Sequence, residues 1–141
     1  MTEARNDQKK RVLIMSCAGG ANVGQLSHQV VGELVQERFA RPFCLAGIGA
    51  HRKGFVKAAS EADTIIIDGC AIGCGRMILE HAEIPVTKYL VLTDLGFEKK
   101  MVSDFSREEI ERVKDAIRDL WKADTPAFLP NLGDGEGSCC P

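Results

Sequence analysis

Four short apolar runs alternate along the chain with stretches of helical periodicity, and this alternation constrains the fold more than any other feature. The strands expected are Arg11 to Ser16, Pro42 to Gly47, Thr64 to Ile67 and Lys88 to Thr93. Between them, Val23, Leu26, Val30, Leu34 and Val35 recur at helical spacing as far as about Phe39, with Asn22 and Gln25 placed as a capping box. Shorter helices are expected over 55–62 and 71–82, the second ended by Ile84-Pro85. Ser106 and Glu109 form a second capping box ahead of the stripe Ile110, Val113, Ile117, Leu120 and Trp121. Strands that each lead into a helix pair in parallel, because only a crossover connection returns the chain to the same sheet edge.

The expected fold is therefore α/β: three layers, a mostly parallel sheet of four to five strands, and helices on both faces, in the Rossmann or flavodoxin manner. Right-handed crossovers favour the strand order 2-1-3-4. The domain is expected over 11–123, with a polar tail at 1–10 and a Pro- and Gly-rich, Cys-containing tail at 124–141.

A chain of 141 residues that is 45% hydrophobic is long and apolar enough to bury one core. Its net charge of −2 argues against nucleic acid and anionic membranes as partners. No apolar run approaches the ~20 residues of a membrane-crossing helix. Lys9-Lys10-Arg11 before Val12 to Cys17 has the outline of a lipoprotein signal, but that apolar stretch is far shorter than the ~7–15 residues such a signal needs. A cytoplasmic location is the expectation, and there six cysteines point to metal or redox chemistry rather than disulfides.

Three cysteines fall where ligands bind in such sheets, beyond the strand C-termini at the switch in strand order. Cys17 ends strand one, Cys70 follows strand three through Asp68-Gly69, and Cys74 lies in the first turn expected of the next helix. Backbone N–H groups and the helix dipole there favour thiolates, the form that binds metal or attacks an electrophile. Cys17, Cys70 and Cys74 are expected close enough to hold one ion. Cys44, on strand two, either completes the set or is a core hydrophobe. Four thiolates match the coordination number and softness that Zn²⁺ accepts, although the spacing is not that of a zinc ribbon. Asp68 is expected to fix the turn that presents Cys70, by accepting backbone N–H groups.

The segments Cys17-Ala18-Gly19-Gly20-Ala21-Asn22-Val23-Gly24-Gln25-Leu26, Cys44-Leu45-Ala46-Gly47-Ile48, Asp68-Gly69-Cys70 with Cys74, and Leu92-Thr93-Asp94-Leu95-Gly96 together resemble the DGC-domain proteins, over about Arg11 to Lys100. The resemblance implies a zinc-binding protein with Cys17, Cys44, Cys70 and Cys74 as metal ligands. It implies no particular reaction, small-molecule substrate or protein partner.

Two rival readings come from the same residues. Cys70 to Arg76 is Cys-x5-Arg opening a helix after a parallel strand, as in cysteine-dependent phosphatases and arsenate reductases. Cys70 would be nucleophile, Arg76 the anion clamp and Asp94 the general acid. Met77 stands where those enzymes carry Ser or Thr, and it also removes the third cysteine that an iron–sulfur radical site needs. The other rival is a thiol redox or metal-handling module using the vicinal Cys139-Cys140 pair. His28 and His81 fall within helices, as surface or boundary residues. His51, beside Arg52 and Lys53, is expected in a solvated loop at the edge of the crevice.

Overall fold

The computed structural model describes residues 10–123. The elements in order are β1 (Val12–Ser16), α1 (Asn22–Gln36), β2 (Arg41–Pro42), α2 (Leu45–Gly49), α3 (Lys53–Ser60), β3 (Asp63–Asp68), α4 (Cys74–His81), β4 (Lys88–Val91), a 3-10 turn (Leu92–Leu95) and α5 (Arg107–Lys122). The sheet has four strands in the order β2-β1-β3-β4, and every pairing is parallel. Ile14 pairs with Ile65 and Met15 with Ile66, so the side chains of the two central strands share faces in register.

That register divides the apolar residues between two cores. Ile14, Ile65 and Ile67 face α1 and α5, against Val23, Leu26, Leu34, Val113 and Ile117. Leu13, Met15 and Ile66 face the other way, against Ile48 of α2, Ala59 of α3 and Leu79 of α4. Burial on both faces is why β3 reads as a continuous Ile run rather than an alternating one. Each of the fully buried isoleucines contributes ~1.5–3 kcal/mol of transfer free energy. On the outer side of the first core, α1 and α5 are joined by a cluster in which Lys114, 2% exposed, lies 3.4 Å from Glu33 and is also paired with Glu37. Among the described residues no helix is long and apolar enough to cross a membrane.

Several boundaries differ from those expected. β2 is two residues long instead of running to Gly47. Pro42 brings no N–H to a ladder, which restricts it to an edge strand, and the chain turns into α2 within three residues. α1 starts at Asn22 itself, with Ala21 as its cap residue and no side-chain cap. Asn22 instead donates to Glu98 O at 2.9 Å and accepts from Lys100 N at 2.6 Å, while Gln25 donates to Gly19 O at 2.8 Å. The first expected capping box is thus replaced by two longer ties, one of which fastens the 98–100 segment to α1. The second, Ser106 with Glu109, is present in full. α1 stops at Gln36, three residues early, where Arg38 adopts φ 60°. The expected tails fall almost wholly on 1–9 and 124–141, outside the described residues, as do Cys139 and Cys140.

Candidate thiol site

Cys17 follows β1 directly, and its N–H bonds Ile67 O at 3.0 Å, continuing the β1–β3 ladder by one step. Its sulfur accepts from Gly69 N at 3.1 Å. The approach depends on Gly69: a Cβ there would lie 2.7 Å from Val23 C and 2.8 Å from Gly24 N. The Asp-Gly turn therefore lies directly against the start of α1, and only glycine allows it. Burial pushes the Cys17 thiol above its ordinary value, the Gly69 N–H partly offsets this, and the charge of Asp68 raises it further. Burial thus favours the thiol form of Cys17 over the thiolate expected at this edge.

Cys44 is exposed and serves as the cap residue of α2, its sulfur accepting from Gly47 N at 3.3 Å. It is neither a strand residue nor a core hydrophobe. Cys70 is half-buried, and Lys99 Nζ lies 3.6 Å from its sulfur. Cys74 is exposed and is the first residue of α4, which begins three residues later than expected. Gly73, at φ 69°, supplies the left-handed residue that turns the chain into that helix.

All four cysteines line one cavity of about 590 Å³ at the C-terminal edge of β1 and β3. Small and aliphatic residues such as Ala18, Ile72 and Met101 make up most of the remaining wall, with His28 and Lys99 as its basic side chains. Sharing a cavity is not convergence. Among the described residues no three His, Cys, Asp or Glu side chains are grouped closely enough to hold a metal ion. Cys17, Cys70 and Cys74, expected to meet around one ion, share the cavity without forming such a group. The late start of α4 leaves 70–73 as a turn ahead of the helix, closed by Gly73 N donating to Cys70 O at 3.1 Å.

Asp68 explains that late start. It is 1% exposed and accepts from Gly75 N at 2.8 Å, Arg76 N at 3.0 Å and Tyr89 Oη at 2.8 Å. A carboxylate from the preceding strand thus caps α4, a stronger role than the local turn expected of it. Burial, together with the Asp68 charge and hydrogen bond, drives the Tyr89 phenol far upward, so it stays a donor at any working pH.

The same carboxylate bears on the Cys-x5-Arg reading. N–H groups that an oxyanion substrate would take are bonded to Asp68. Arg76 pairs with Glu80 at 2.8 Å, and Asp94 is exposed in the 3-10 turn, outside the cavity lining. Of the phosphatase constellation, Cys70 lines the cavity, whereas Arg76 and Asp94 are not among its lining residues.

Lys99, His28 and Tyr89 are the functional neighbours that sequence reasoning missed. Tyr89 reads as strand core. Lys99 lies in a stretch without periodicity, so nothing local ties it to Cys70. His28 lines the cavity from nearly two turns inside α1. His51 does not line the cavity; it is exposed and faces His81.

The family model described as DGC domain matches residues 13–117. The chain is also 30% identical, over 102 residues, to the "Anaerobic and virulence modulator AnvM" of Pseudomonas aeruginosa PAO1, covering 72% of this chain and 78% of that protein. No solved structure matches the chain.

Proposed function

The chain belongs to the DGC-domain family, and from that premise together with the thiol-lined cavity we propose that it binds Zn²⁺, or a similar thiophilic ion, at the C-terminal edge of its sheet. One observation carries the reading: cysteines from four separate segments open onto a single cavity. The chemistry of the donor set fits such an ion, since thiols are the soft ligands that zinc and copper(I) accept. Their spacing does not yet form a coordination shell, so binding requires the rim to move.

Cys17 and Cys70 belong to the fixed side, on the ends of β1 and β3, while Cys44 and Cys74 sit exposed at the starts of α2 and α4. The exposed pair are the residues that solvent and an incoming ion reach first. An ion held by four thiolates would supply a cross-link between sheet and helices rather than an open position for chemistry. Cys17 must lose its proton on loading, so uptake is expected to weaken as pH falls. The reading requires a reducing compartment such as the cytoplasm, where all four thiols stay free. A regulatory rather than catalytic site also suits the name of the Pseudomonas relative, a modulator.

The test compares metal content after zinc loading in Cys70→Ser and in Cys139→Ser with Cys140→Ser. The proposal expects occupancy to fall sharply in the first and to hold in the second. Emptying by the tail change, with Cys70→Ser still loaded, would place the ligands elsewhere.

A further inference from the structure

His51 follows α2 by two residues, and His81 is the last residue of α4. The two helices pack together, and both side chains are exposed. His81 Nδ1 and His51 Nε2 face each other at 3.2 Å, with ring centroids 5.0 Å apart and ring planes inclined by 59°. The root of His51 is fixed, because its N–H bonds Ile48 O at 2.9 Å and its φ is 55°. Two side chains 30 positions apart thus bring one nitrogen each to a common point on the surface.

We infer that His51 and His81 form a second cation site, a two-histidine chelate for a borderline divalent ion such as Ni²⁺ or Zn²⁺, separate from the thiol cavity. Imidazole nitrogens bind such ions at ~2.0–2.1 Å, which at a tetrahedral angle separates the two nitrogens by ~3.4 Å. The observed 3.2 Å is within a small ring rotation of that value, and exposed rings can make it. In the metal-free pair one facing nitrogen carries a hydrogen and the other accepts it. To bind, the first ring exchanges that proton through solvent for one on its far nitrogen. Both facing lone pairs are then directed at the ion, with no net change in protonation. Water fills the remaining positions, since both rings are exposed. The imidazole donors suit Ni²⁺, Cu²⁺ and Zn²⁺, whereas the thiols of the cavity select softer ions.

The site is placed to act on the cavity as well as apart from it. α2 and α4 present Cys44 and Cys74 at their N-terminal ends, and the histidine pair joins the same two helices at their C-terminal ends.

The experiment uses the untagged full chain on an immobilised Ni²⁺ column, eluted with imidazole, comparing wild type with His51→Gln, His81→Gln, the double variant of these two and His28→Gln. The thiols are the same in all five proteins, so differences report histidine alone. The expected result is retention of wild type and His28→Gln. His51→Gln and His81→Gln should each weaken retention by about tenfold or more, the usual scale for losing one arm of a chelate. The double variant should be no weaker than either single one. Circular dichroism identical to wild type shows that the variants are folded. The inference is overturned if His28→Gln costs as much as the other two, if the two losses are partial and additive, or if neither changes retention.

Discussion

Replacing Asp68 by Ala probes the element that sets the geometry of the site. The carboxylate is 1% exposed and accepts three hydrogen bonds, two from the first turn of α4 and one from Tyr89. Loss of a helix cap costs ~1 kcal/mol, and ~2 kcal/mol at the upper end. Loss of the Tyr89 hydrogen bond to the carboxylate adds ~1–3 kcal/mol. The sum is about 2–5 kcal/mol, a large fraction of the 5–15 kcal/mol that holds a domain folded. For a domain of this size that corresponds to a fall in Tm of about 10–25 °C. Asp68→Asn keeps one acceptor oxygen and the shape, so it should cost about 1–2 kcal/mol. Urea titrations followed by circular dichroism measure both. A change below about 0.5 kcal/mol in Asp68→Ala would refute the cap, since that is the range of ordinary surface substitutions. Equal losses in Ala and Asn, with metal uptake abolished in both, would instead assign Asp68 to the ion.

Gly69→Ala places a Cβ 2.7 Å from the α1 backbone, and main-chain atoms cannot step aside, so a loss of about 2 kcal/mol or more is expected by urea unfolding. Wild-type stability in Gly69→Ala would contradict the close approach. Hydrogen bonding to Arg107 holds the Glu33 carboxyl down to about 2, below its ordinary 4.5. The stability it contributes is therefore present in full above pH 4.5 and is lost as pH falls toward 2. The urea midpoint should drop over that window in wild type and drop less in Arg107→Ala; equal slopes would reject the assignment. Cys17, held as a thiol by burial, should be the slowest of the four cavity cysteines to react with iodoacetamide at pH 8, and exposed Cys44 and Cys74 the fastest. Peptide mass mapping against time gives the order, and rapid labelling of Cys17 in the folded protein would contradict it.

What the sequence made legible was whatever follows from local pattern. The Thr64 to Ile67 run announces a strand buried on both faces, and Ser106 with Glu109 announces a helix start, because strand burial and capping are written in neighbouring residues. The parallel order 2-1-3-4 followed from alternation and handedness, and the structure has it. Cys44 was misread because the stretch from Pro42 to Gly47 is apolar enough for a strand, while the sulfur's bond to Gly47 N favours the helix that forms instead. The start of α4 was misplaced because its cap is Asp68, from the strand before it, rather than the residue just ahead of the helix. Lys99 beside Cys70 and His51 beside His81 are products of the tertiary fold, with partners about 30 residues away, and no local pattern points to them.

X-ray absorption at the zinc edge, on protein loaded with one equivalent of Zn²⁺, tests the central claim most directly. Four thiolate ligands predict a first shell of sulfur alone at ~2.3 Å, with Cys70→Ser replacing one sulfur by oxygen or nitrogen at ~2.0 Å. A first shell of nitrogen and oxygen in the wild type, unchanged by Cys70→Ser, would show that the cavity cysteines do not hold the ion.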